Sequence, residues 1–200
     1  MATPTKIMVI RHGEKPTVKH MPPFGVDSDG NQDWHSLIVA GWQRAGALMK
    51  LFDPNGECLP KLAVPGLIYA SGFRNSGTNG ETADSSDSRR PVETITPLAA
   101  RLGITPNQDF SKGDEKDLTR SVMQQSGIVL ICWQHEAIND IANNLVEGAK
   151  TTSPIPPPPW PGDRFDVIWV FTPPASLSDP WGFDQVPQCL LAGDANTVIG

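Results

Sequence analysis

The sequence predicts an α/β protein: a three-layer α/β/α sandwich with a mostly parallel central sheet flanked by helices. Short apolar runs rich in β-branched residues alternate with amphipathic stretches of helical period, the pattern of a layered fold with helices on both faces of a sheet. Two of those runs end abruptly in a polar segment that carries a histidine. The carboxyl ends of strands are where open α/β sheets bind their ligands. The 200 residues suit one domain, 1–200, large enough to bury a core without staples.

Strands are expected near 6–11, 67–71, 127–133, 166–172 and 187–192, and helices near 34–52, 89–103, 114–126 and 136–147. The first strand is the run Ile7-Met8-Val9-Ile10, short, apolar and partly β-branched. The helix near 89–103 opens at Ser88-Arg89-Arg90-Pro91 and is amphipathic through Leu98 and Leu102; Pro91 suits a first turn, where its missing N–H costs nothing. A central strand is read from Gly127-Ile128-Val129-Leu130-Ile131-Cys132-Trp133, followed by a helix with Ile138, Ile141, Ala142 and Leu145 on one face. Three stretches interrupt the alternation: the Pro, Gly and Asp-rich loop 15–33, the polar loop 72–88, and Ser153–Gly162 with its proline run. The last reads as a stiff spacer returning the chain to the sheet edge, or as bait for a proline-recognition domain. By position, all three loops can rim the mouth of a site and set substrate choice.

The chemistry concentrates at Arg11-His12-Gly13-Glu14, just past the first strand. Arginine supplies a planar fork of donors suited to phosphate, histidine serves as nucleophile, base or ligand, and glycine allows a sharp turn. On its own, the motif is equally a loop with a solvated arginine before a half-buried histidine. A second histidine, in Gln134-His135-Glu136, follows the central strand. Arg90 falls at a helix N-terminus, where anions are favoured. Arg74 and Arg89 are further phosphate candidates, but adjacent helix side chains point about 100° apart, so Arg89 and Arg90 are not expected to share one pocket.

These motifs resemble the histidine phosphatase (phosphoglycerate mutase-like) superfamily. Its hallmarks correspond here to Arg11-His12-Gly13, Arg90 in Arg90-Pro91-Val92-Glu93-Thr94, and His135. Weaker similarity covers Leu37–Ala45, with Arg44 where the family has Gln, and Ile68-Tyr69-Ala70-Ser71. The resemblance spans about residues 5–146. It implies a phosphomonoester hydrolase with a phosphohistidine intermediate: His12 as nucleophile, with Arg11, Arg90 and His135 neutralising the phosphoryl oxygens. It implies no metal and no cofactor, and a small phosphorylated substrate. A backbone carbonyl is expected to orient the His12 ring. Glu136 is favoured as proton donor to the leaving group, with Glu115 and Asp114 in reserve; in that role its pKa must be raised. Equally, Glu136 suits a helix's first turn for its charge alone. A mutase, a non-catalytic scaffold on the same fold and a metal-dependent hydrolase are the alternatives.

Composition narrows the partners. The net charge of −6 argues against nucleic acid, yet leaves room for an anionic substrate at a local arginine cluster. Cys58, Cys132 and Cys189 share no metal spacing; an odd number without a leader-like N-terminus points to a reducing, cytoplasmic setting. Cys132 is expected to be a buried, inert thiol. No apolar segment approaches the roughly 20 residues of a membrane helix. His20 and His35 have no metal-type partners in sequence.

Overall fold

The computed structural model describes residues 3–73, 88–156, 158–176 and 179–200. Most of loop 72–88, including Arg74, lies outside them. In chain order the elements are β1 (Pro4–Arg11), α1 (Val39–Phe52), β2 (Leu67–Ala70), α2 (Arg90–Leu102), α3 (Glu115–Val122), β3 (Gly127–Trp133), α4 (His135–Leu145), β4 (Val167–Thr172) and β5 (Gly182–Pro187). The strands form one sheet in the order β2-β3-β1-β4-β5.

Helices cover both faces of this sheet because the strand side chains alternate. Met8 and Ile10 of β1 point to Leu48, Phe52, Ile95 and Leu98 of α1 and α2. Ile7 and Val9 point to Leu118 and Val122 of α3 and to Ile138 and Ile141 of α4. β1 is central and its Ile7–Ile10 run is wholly buried, as a continuous apolar run in a two-sided sheet requires. No described helix is long and apolar enough to cross a membrane.

The expectation of a mostly parallel sheet is corrected. β2, β3 and β1 are parallel, but β4 pairs antiparallel with β1, and β5 antiparallel with β4. The reason lies at Arg11, the last residue of β1. Its Nη1 donates to the carbonyls of Pro161, Gly162 and Arg164, which draws the chain after α4 across the carboxyl end of β1. β4 therefore starts at that end, with Ile168 opposite Ile10, and must run back to Phe171 opposite Ile7.

Two other boundaries move. The fifth strand spans 182–187 rather than 187–192: Phe183 pairs with Phe171, and Pro187 closes the ladder opposite Val167. Beyond it Asp194 accepts from the N–H groups of Leu190 and Leu191 and bends the apolar tail away from the sheet. The helix expected from 34 begins at Val39, because the buried Glu93 carboxylate holds Ser36 Oγ and Leu37 N–H in a turn and loop ahead of it. The proline-rich connector packs onto the fold: Asn139 donates to the Pro156 carbonyl, and Trp160, 4.8 Å from Trp169 between ring centroids, is buried.

Candidate active site

Parallel pairing in register brings the two histidine-bearing segments off the sheet at the same end. Arg11 of β1 is opposite Trp133 of β3, so both chains leave the sheet at the same level. The ladder continues one step further, with His12 N–H donating to the Trp133 carbonyl at 3.1 Å. The third element arrives through Thr94 in the first turns of α2: its Oγ1 accepts from Gly13 N–H at 2.8 Å and donates to the Arg90 carbonyl at 2.7 Å. One hydroxyl thus couples the Arg90 turn to the loop after His12.

His12 is almost fully buried. Its Nδ1 lies 2.7 Å from the carbonyl oxygen of Gly13, an acceptor, so Nδ1 carries the proton and Nε2 keeps a free lone pair. The orienting carbonyl anticipated from sequence therefore belongs to the next residue. Burial, and after it the Arg11 charge, hold the His12 pKa well below its usual value, so the ring is neutral at physiological pH.

Arg11 is fully buried, and burial pulls its pKa down to about 10. Phe165 lies beneath the guanidinium, 3.7 Å from ring centroid to Cζ. Nη1 is spent on the three carbonyls, while Nε and Nη2 are buried with no hydrogen-bond partner among the described residues. Those two N–H groups form one edge of the fork, the edge that grips an oxyanion side-on. Leaving two charged donors buried and unpaired is costly, and an anion relieves that cost.

Arg90 is buried, with Nε and Nη2 donating to the carbonyls of Ser36 and Trp34. Arg89 turns outward, about half-exposed, to Asp33 and the Phe73 ring. The separation of the two arginines agrees with their angular offset on a helix. His135 opens α4, and a Cβ placed on Gly162 would lie 3.8 Å from its Nε2; the same Gly162 carbonyl is held by Arg11. His135 Nδ1 is 3.1 Å from Glu136 Oε2, at ion-pair distance though unaligned for a hydrogen bond.

Glu136 is about half-exposed. Its neighbour His135, together with Lys112 at 3.9 Å, holds the carboxyl below the usual carboxylate range despite partial burial. In the free protein it is therefore ionised, the opposite of the raised pKa that a resident acid needs. The two reserve carboxylates are engaged elsewhere. Glu115 accepts from the Trp133 indole N–H at 2.9 Å and from Gly113 N–H, and Asp114 accepts from the backbone and hydroxyl of Ser111.

Two cations escaped the sequence reading. Lys15 is half-buried, and burial, with the nearby charges of Arg90 and Arg11, lowers its pKa. Its place directly after the motif was the available signal. Lys112 had none, since it comes from the loop before α3 and reaches Glu136 only in three dimensions. Glu14 is clasped by Arg44 at 2.6 Å, and the same buried Arg44 grips Asp194 and Gln188 of the C-terminal tail. Arg44, at a motif position with no assigned chemistry, is thus the brace of the nucleophile loop. Cys132 is buried and its thiol pKa is pushed up by burial. No three potential metal ligands gather among the described residues.

The arrangement is a neutral imidazole with its Nε2 lone pair free and the charges of Arg11, Arg90 and Lys15 acting on it, in a protein of net negative charge. It can bind a phosphoryl-sized anion and attack it. No family model matches the chain, and no curated protein matches it significantly.

Proposed function

We propose that this chain is a phosphomonoester hydrolase working through a phosphohistidine on His12, as the resemblance to histidine phosphatases suggests. The observation that carries the reading is the Nδ1 contact of His12 with the Gly13 carbonyl in a buried ring kept neutral. That tautomer makes Nε2 a nucleophile without any prior proton transfer. The unpaired edge of Arg11, with Arg90 and His135, supplies the charge for the phosphoryl oxygens, in chemistry that is mostly positioning and electrostatics.

In the first step Nε2 forms a bond to phosphorus as the ester P–O bond breaks, and the departing oxygen takes a proton. In the second, water attacks phosphorus, the N–P bond breaks and phosphate leaves, while the water proton returns to the acid. Glu136 is the carboxyl assigned to this proton, because Glu115 and Asp114 are held in structural bonds. Ionised in the free protein, it gains its proton with the substrate: a phosphomonoester monoanion carries one in, and the added negative charge raises the carboxyl pKa. Cys58, Cys132 and Cys189 are all unpaired, in accord with a cytoplasmic setting.

The test is p-nitrophenyl phosphate hydrolysis in excess EDTA, wild type beside His12→Asn. Turnover that survives chelator and falls below a tenth in the variant is the expected result. An inactive wild type, or a variant above that level with an intact fold, overturns the assignment.

A further inference from the structure

We propose that the loop from Pro16 to Trp34 holds the leaving group of the substrate, and that this group is a flat apolar ring. The substrates are then aryl-bearing phosphomonoesters rather than sugar or polyol phosphates; this rests on the phosphatase reading above.

The loop encloses a cavity of about 180 Å³ walled by Pro16, Lys19, His20, Met21, Phe24 and Trp34. A dry cavity of roughly 150 Å³ already accepts benzene, so one aromatic ring fits. The lining offers a ring its faces and edges, and no carboxylate is part of it. Its polar side chains are Lys19, His20 and Gln32, while Pro16, Met21, Phe24 and Trp34 give it an apolar wall that a polyol would leave uncovered. Met21 and Phe24, which wall the cavity, are 57% and 39% exposed. Apolar side chains set in water beside a charged site mark a place for an apolar ligand.

Two connections link the cavity to the phosphoryl site. Pro16 directly follows Lys15, and the Trp34 carbonyl accepts from Arg90 Nη2 at 2.7 Å. The base of the loop is rigid where it meets the site. A Cβ on Gly25 would lie 2.1 Å from the Asp33 carbonyl oxygen, Asp33 N–H donates to the Gly25 carbonyl, and Trp42 Nε1 donates to the Val26 carbonyl at 2.8 Å. Lys19 and His20 at the rim add edge donors for a polar substituent.

The test compares 3-phenylpropyl phosphate with glycerol 1-phosphate, whose alkoxide leaving groups are chemically similar, in the wild type and in the Met21→Ala/Phe24→Ala double variant. Neither side chain belongs to the fold's core, so the variant folds. The wild type is expected to favour the phenyl substrate at least tenfold in kcat/KM. The variant should lose that preference through a KM for the phenyl substrate raised about tenfold, as one lost aromatic contact implies. Equal efficiency of the wild type on both substrates, or a preference that persists in the variant, overturns the pocket while leaving the phosphatase reading standing. Turnover of neither overturns that reading and the pocket with it.

Discussion

Replacing Gly41 by alanine would place a Cβ 2.6 Å from the Glu14 carbonyl oxygen and 2.9 Å from the Glu14 nitrogen. Both are backbone atoms, so no side chain can swing aside. Reaching an ordinary contact of 3.4 Å demands that α1 and the His12–Glu14 segment separate by about 0.8 Å. Overpacking of this kind costs about 1–3 kcal/mol, set against about 0.5–1 kcal/mol that alanine gains over glycine in a helix. A net loss of up to about 2.5 kcal/mol is expected, or up to roughly 10 °C in thermal midpoint for a chain of this size. Because a Cβ on Gly13 would likewise meet the Gly41 backbone at 3.0 Å, the two segments are in close approach and the shift reaches the His12 loop; a displacement near 1 Å lowers turnover by up to about 100-fold. Gly46→Ala, in the same helix with nothing within 4 Å, is the control and should stabilise slightly. Urea unfolding and p-nitrophenyl phosphate kinetics on both variants decide it. A Gly41→Ala protein as stable and as active as Gly46→Ala would refute the argument.

Arg90→Lys should lower kcat/KM about 10²–10³-fold, because an ammonium cannot bond the Trp34 and Ser36 carbonyls and still present a fork; near wild-type rates would remove Arg90 from the site. Glu136→Gln should slow an alkyl phosphate far more than p-nitrophenyl phosphate, which departs without a proton; equal losses would leave Glu136 only a positioning role. The depressed pKa of His12 means the unfolded chain binds one more proton below pH 6.5. Stability is then whole above that value and falls by about 1.4 kcal/mol at pH 5.5. Urea midpoints at pH 7.5 and 5.5 should show that drop in the wild type and a smaller one in His12→Gln; parallel slopes would mean His12 titrates normally.

Much of the fold was legible because the local signals agree with it. The Ile7–Ile10 and Val129–Trp133 runs are wholly buried strands, and Pro91 sits in the first turn of α2. What was not legible depended on distant partners. Residues 34–38 lie in a helical-looking stretch, yet form a turn and loop because Glu93, more than fifty residues on, captures Ser36 and Leu37. The apolar Pro187–Ala192 stretch looks like an edge strand, but the ladder is taken by Gly182–Pro187 opposite β4.

The sequence by itself singled out Arg11, His12, Arg90 and His135 as candidates: they stand at element boundaries, and residue type and spacing are local properties. Tertiary structure alone decided their relation. The pairing of Arg11 with Trp133 sets the histidines at one level, and the carbonyls gathered by Arg11 reverse β4. It also decided protonation: the neutral state of His12 and the ionised state of Glu136 follow from burial and neighbouring charge. Those are sums over the surrounding space, which no stretch of sequence contains.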